Sequence, residues 1–218
     1  MEIVFEARKL ANYIGGLEAF ETVHVESEFC YHHIGALFVD ITLQAGLNYN
    51  SVVKPRVQRV LLKYPEANTV LKFRDAIEVA GLEKMIRWKN NIKINRLERL
   101  IEFALQNQIN TCADFKLFLM NKTNRDTFQK LNGVGPKTVD YTLKLLNFDT
   151  VAVDRHIYAF VELAEVKSES YAFTKKVVEF AADFLQISRS SMDYSIWRYM
   201  SNAERRLVRD NSQLTLVF

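Results

Sequence analysis

Three features of the 218-residue sequence predict an all-α fold. Apolar residues recur at helical spacing through most of the chain: Ile34, Leu37, Phe38 and Ile41; Ile94, Leu97, Ile101 and Leu105; Phe173, Val177, Phe180, Ala181 and Phe184. The aromatic residues of these stripes are expected to be mostly core. Strand-like alternation is confined to residues 21–29 and 214–218, which could form a minor terminal β element. A tight bend, Gly133-Val134-Gly135, separates two further helical patterns, and its glycines reach left-handed backbone conformations that other residues enter only at a cost. A chain of this length buries a substantial core, as one compact unit or two closely packed lobes.

The charge balance, 29 basic against 26 acidic residues for a net +3, permits a polyanionic partner without requiring one. Such a partner needs a local basic face, for which Lys54, Arg56, Arg59, Lys93, Arg96, Arg99, Arg205, Arg206 and Arg209 are candidates. Each taken singly also reads as an ordinary solvated charge. The chain has no apolar run of about eighteen residues and does not open on a basic stretch followed by a hydrophobic core, so an intracellular protein (cytoplasm and nucleoid, or nucleus) with no membrane partner is expected. Cys30 and Cys112 fit no metal or disulfide spacing and suggest reduced, partly buried thiols. His24, His32, His33 and His156 lack the company of further zinc ligands, and the pair His32-His33 reads as the polar start of a helix, so no metal is expected.

Residues 33–46 read HIGALFVDITLQAG, an apolar helix that runs out at Leu43-Gln44-Ala45. Residues 125–131 then form a short helix, with Phe128 and Leu131 three apart and Thr123 or Asn124 as its N-cap. Beyond the glycine bend, Val139, Leu143 and Leu146 keep helical spacing, and Pro136 suits a first helical turn, where its missing N–H is no loss. The result is a helix, a hairpin and a helix over about residues 125–146. The bend would offer backbone N–H groups at a helix N-terminus, where a phosphate is favoured, with Gly133, Val134, Gly135 and Thr138 as the contact candidates. The same bend would also serve as a plain connection between packed helices. The longer string LxGVGxKT is the more specific signal.

Lys137 stands in the first turn of the second helix. A helix N-terminus and partial desolvation both lower a lysine pKa and so favour a nucleophilic amine, whereas a nearby carboxylate acts the other way. The same lysine could instead simply touch a phosphate. Asp154 follows seventeen residues later, after the apolar run Val151-Ala152-Val153 and ahead of Arg155-His156-Ile157. It has the position of an N-cap, a duty compatible with holding a carboxylate where positive charge develops on a substrate.

The string Leu131-Asn132-Gly133-Val134-Gly135-Pro136-Lys137-Thr138, followed by Val151-Ala152-Val153-Asp154-Arg155-His156, resembles the helix-hairpin-helix DNA glycosylases of the endonuclease III and 8-oxoguanine DNA glycosylase kind. The resemblance extends to residues 33–46 and, less specifically, to residues 193–199, and covers most of the chain from about Ile34. It implies a two-lobed helical glycosylase fold: residues 34–157 as the lobe that contains the helix-hairpin-helix, and residues 1–33 with 158–218 as a second, mainly helical lobe. It implies Lys137 as the Schiff-base nucleophile, Asp154 as the essential carboxylate, and hence a bifunctional glycosylase and abasic-site lyase. The implied partner is double-stranded DNA with damaged, by resemblance oxidised, bases or abasic sites, bound by a monomer without a cofactor. Gln44 would fill the gap left by an extruded base, or else merely face solvent after a buried helix.

Three departures qualify the resemblance. Asn132 replaces the proline usual before the Gly-Val-Gly turn, a mild change because asparagine also enters turns readily. Two cysteines cannot bind the iron-sulfur cluster that many endonuclease III relatives hold with four. Residues 81–93 do not match closely enough to identify an apolar wedge. Asp140, three residues after the lysine, resembles the 8-oxoguanine branch, although a surface-helix aspartate would explain it too. The competing expectations are a noncatalytic helix-hairpin-helix module that recognises DNA structure, and a helical interaction protein in which the hairpin is only a connector.

Overall fold

The computed structural model describes residues 2–24 and 31–214, with side chains to residue 202. Its regular structure is entirely helical, with no strand among the described residues. Residues 21–24 have no regular structure and Leu214 ends a helix; the rest of the two possible strands, residues 25–29 and 215–218, lies outside the described residues, as does Cys30.

The chain forms two compact units, Met1–Ser27 with Phe148–Phe218, and Glu28–Asn147. The first unit opens with α1 (Glu2–Gly15). The second holds α2 (Ile34–Leu43), α3 (Lys54–Lys63), α4 (Val70–Ala80), α5 (Leu82–Ile86), α6 (Asn91–Gln106), α7 (Cys112–Met120), α8 (Lys122–Gln129) and α9 (Pro136–Leu145). The chain then returns to the first unit with α10 (Arg155–Leu163), α11 (Tyr171–Phe184) and α12 (Arg189–Leu214).

In the unit Glu28–Asn147, α2 is the axis, and all ten of its residues are buried beneath α3, α4, α6 and α9. Its composition explains this: a helix apolar all round must be covered all round. His33 caps it, with Nδ1 accepting the Ala36 N–H at 3.1 Å while Nε2 lies 2.9 Å from the Tyr64 carbonyl, which fixes Nε2 as the protonated nitrogen. Gly35 lets the Phe73 ring lie directly on the helix backbone, where a Cβ would overlap it. Edge-to-face contacts from Phe38 to Phe115 (5.8 Å) and from Phe115 to Phe128 (5.4 Å) then tie α7 and α8 to α2. On α8 the N-cap is Asn121, whose Oδ1 accepts the Thr123 N–H at 2.8 Å, in place of the expected Thr123 or Asn124. The helix therefore starts before residue 125, where the apolar pattern alone put it. Val139, Leu143 and Leu146 are all buried, as their spacing predicts.

In the other unit, Ala7, Leu10, Ala11 and Ile14 form the buried face of α1, which packs against α11. The buried face of α11 is Thr174, Val177, Val178, Ala181 and Ala182. Phe180 and Phe184, expected in the core, are 36% and 44% exposed: close helix packing selects the small and β-branched positions, and the rings fall to the edge, Phe184 beneath the Arg8 guanidinium. The segment 151–153 is threaded into this core, with Val151 and Val153 buried, and Asp193 Oδ2 accepts the Ala152 N–H at 2.7 Å. This burial is why the unit begins at Phe148, ten residues ahead of the limit read from the sequence.

Candidate active site

The connection between α8 and α9 is a turn closed by a 2.9 Å hydrogen bond from the Val134 N–H to the Leu131 carbonyl. Gly133 takes its third position at φ +87°, the left-handed region that a type II turn requires there. Gly135 is the N-cap of α9 and contributes no side-chain hydrogen bond, and Pro136 follows at the helix start. Thr138 is buried, and its carbonyl accepts from Thr142 Oγ1 at 2.8 Å. Arg99, Glu102, Phe103 and Gln106 from α6, with Lys130, Leu131 and Asn132, line an open groove of about 390 Å³ beside the turn.

The half-buried Lys137 projects from the first turn of α9, and Nζ donates a 2.8 Å hydrogen bond to Gln44 Oε1. The Tyr141 ring, one helical turn on, lies with its centroid 5.9 Å from Nζ. Tyr141 in turn donates to Asp40 Oδ1 at 2.8 Å, while Tyr31 donates to Asp40 Oδ2 at 2.7 Å and Tyr49 lies 3.4 Å from the same oxygen. Burial pushes the Asp40 carboxyl above the usual range, opposed by these phenol donors, and pushes the tyrosine hydroxyls up as well.

Lys93 completes the cluster from α6. Its Nζ donates 2.8 Å hydrogen bonds to the carbonyls of Thr42 and Ala45, closing the C-terminal end of α2 on either side of Gln44. Burial, with the charges of Arg96 and Lys137 nearby, brings the Lys93 ammonium down to about 8. It is thus not the solvated charge that its type alone suggests. Arg56 and Arg59 are likewise tied into the unit: Arg56 donates to the Val52 carbonyl at 2.7 Å and stacks on Trp88, and Arg59 donates to the Met85 carbonyl at 3.0 Å. The side chains of Arg205, Arg206 and Arg209 lie outside the described residues.

Asp154 belongs to the other unit, where it is the N-cap of α10. Oδ1 accepts the N–H groups of His156 (2.9 Å) and Ile157 (3.1 Å), and His156 Nδ1 lies 3.1 Å from Oδ2. The carboxylate is three-fold engaged yet its side chain keeps 24% exposure. His156 meets the Trp197 ring edge-on at 6.4 Å, and Trp197 stacks on Tyr194 at 5.7 Å.

The structure therefore joins Gln44 to Lys137, places Gly133, Val134 and Gly135 on the connection ahead of Lys137, and buries Thr138 in the helix just after it. Gln44 is only 9% exposed, not solvent-facing, and Asp140 is buried rather than on the helix surface. Asp40, Tyr141 and His156 were not singled out from the sequence as site residues, and Lys93 was named only as a candidate for a basic face. A lone carboxylate inside an apolar helix was the available signal for Asp40; nothing in the sequence pointed to the carbonyls that Lys93 grips. No protein-family model, no curated protein and no solved structure matches the chain. Among the described residues, no helix is long and apolar enough to cross a membrane.

Proposed function

We propose that the chain is a base-excision-repair DNA glycosylase with abasic-site lyase activity, acting on double-stranded DNA that carries a damaged, by resemblance oxidised, base. The observation that carries this reading is the placement of Lys137: a single amine in the first turn of α9, directly behind a positive-φ glycine turn and held by an amide. The turn and the uncapped helix start suit a phosphate of the DNA backbone, and a phosphate gripped there brings the neighbouring sugar toward the amine.

The chemistry follows from the residue types. With the damaged nucleotide rotated out of the duplex, the neutral Lys137 amine forms a bond to C1′ as the glycosidic bond breaks, and the base leaves with the bonding pair and takes up a proton. Asp154, rigid in its cap, offsets the positive charge on the sugar and receives the proton that the amine gives up. Opening of the ring yields the protonated imine. Removal of a C2′ proton then breaks the C3′–O bond and expels the 3′ phosphate, and water hydrolyses the imine to restore the lysine. The site of action would be intracellular, on chromosomal DNA.

Borohydride trapping tests the proposal. Duplexes with an abasic site, 8-oxoguanine or thymine glycol should give a covalent protein–DNA product with the wild type and none with Lys137→Gln. No trapped product from any of these duplexes would sink it. A second reading, a noncatalytic module that binds DNA structure, draws on the groove flanked by Arg99 and Lys130 at the turn, which needs nothing from Asp154. It predicts salt-sensitive DNA binding unchanged by Asp154→Asn, and no cleavage.

A further inference from the structure

Gln44 occupies the place where the resemblance implied a filler for an emptied duplex position, yet its side chain is turned into the protein. It is 9% exposed, its Oε1 accepts from Lys137 Nζ at 2.8 Å, and its Nε2 is buried without a hydrogen-bond partner. Toward the ammonium form of Lys137, which only donates, the facing end of the amide is Oε1. The backbone beneath is held firmly. The Gln44 N–H donates to the Asp40 carbonyl at 2.9 Å, and Lys93 grips the carbonyls of Thr42 and Ala45.

We propose that Gln44 is the positioning residue for the Lys137 amine, and that its unpartnered Nε2 is the donor for an oxygen of the bound nucleoside. This role rests on the glycosylase reading. A lysine side chain has four rotatable bonds, and attack on a sugar carbon requires the nitrogen near one place with its lone pair available. An amide oxygen that accepts one N–H fixes the nitrogen and leaves that lone pair directed away from the amide. A glutamine reversed, with Nε2 donating to the amine, would occupy the lone pair. The buried Nε2 is a donor whose desolvation is uncompensated until an acceptor arrives, so a ligand carbonyl or hydroxyl oxygen at that point is recognised at little further cost. Of the titratable and charged groups, Lys93 from α6 lies near enough to feel the Lys137 charge, the Tyr141 ring one helical turn on lies 5.9 Å from Nζ and its hydroxyl donates to Asp40, and Arg96 from α6 lies beside Gly133.

The test compares the wild type with Gln44→Leu, which removes both ends of the amide, and Gln44→Glu, which keeps an acceptor of the same shape and adds a charge. Two quantities are read on the full chain. The first is the pH midpoint of Lys137 reactivity toward trace acetic anhydride, followed on the Lys137 peptide by mass spectrometry and requiring no DNA. The second is the plateau rate of borohydride trapping on an abasic-site duplex, at pH values above that midpoint. The expected results are a midpoint raised by about one pH unit or more in Gln44→Glu, since a carboxylate favours the ammonium, and a trapping plateau about tenfold or more lower in Gln44→Leu. In Gln44→Glu the plateau should fall as well, because a carboxylate has no N–H to offer the nucleoside oxygen. Should Gln44→Leu fail to fold, the isosteric Gln44→Glu carries the midpoint measurement alone. An unmoved Lys137 midpoint in Gln44→Glu, or an unchanged plateau in a folded Gln44→Leu, overturns the positioning role while a trapping wild type leaves the glycosylase reading standing. A wild type that never traps overturns the glycosylase reading and the positioning role with it.

Discussion

Gly133 has no side chain where Arg96 runs: a Cβ at this residue would fall on the Arg96 guanidinium, in a backbone conformation at φ +87° that disfavours any L side chain. The turn ahead of α9 is thus glycine for two independent reasons, one local and one tertiary. Gly133→Ala should cost about 1–2 kcal/mol from the left-handed backbone alone, and more where Arg96 must move. Urea denaturation of Gly133→Ala, Arg96→Ala and the double variant separates the two, because removing Arg96 relieves only the overlap. Strict additivity would show that the two residues do not meet.

Asp154 combines a cap with a proposed chemical role, and the two can be separated. Asp154→Ala removes the acceptor for the His156 and Ile157 N–H groups and should lower stability by about 1 kcal/mol. Asp154→Asn keeps a good cap and should be nearly as stable as the wild type. Base excision should nevertheless fall by roughly a hundredfold or more in both. Excision that tracks stability, spared in Asp154→Asn, would reduce the residue to a cap.

Lys93 makes stability depend on pH at the alkaline end. Its folded-state value, about 8, lies below the ordinary lysine value of 10.5, so between these limits the unfolded chain binds more protons than the folded one. This group's contribution to stability therefore rises with pH across that window and is level outside it. Lys93→Met should flatten the rise relative to the wild type in denaturation series run through the window. Parallel curves would mean that the Lys93 ammonium is no less stable in the folded protein than in water.

Tyr141 donates to a buried carboxylate, and its loss should depend on the state of Asp40. Tyr141→Phe should cost about 1.5–3 kcal/mol at neutral pH, the range for hydrogen bonds to charged groups. Burial raises the Asp40 carboxyl above its ordinary 3.8, so the folded state holds this proton more tightly, and ionising it lowers stability as pH rises from 3.8 toward the folded value. With a donor gone, that fall should steepen. The cost of Tyr141→Phe should accordingly shrink in acid, where Asp40 is protonated in both states; an equal cost at both pH values would place no charge on Asp40.

The helical class, the glycine turn and the cap at Asp154 were legible in the residue order because each is set within a few neighbours: apolar residues every third or fourth position, a glycine where φ must be positive, an aspartate ahead of a helix. Lys137 was legible as a first-turn lysine for the same reason. Its surroundings were not. The amide that holds it comes from a helix ninety-three positions earlier, the ammonium of Lys93 reaches carbonyls forty-eight and fifty-one positions away, and Asp40 finds Tyr141 across one hundred and one. Local pattern also put Phe180 and Phe184 in the core and Asp140 on the surface, and packing reversed both. Chain order thus determined which elements form, since that depends on short-range geometry. Only the tertiary structure decided which side chains share a desolvated space, because burial and charge act through distances that sequence separation does not record.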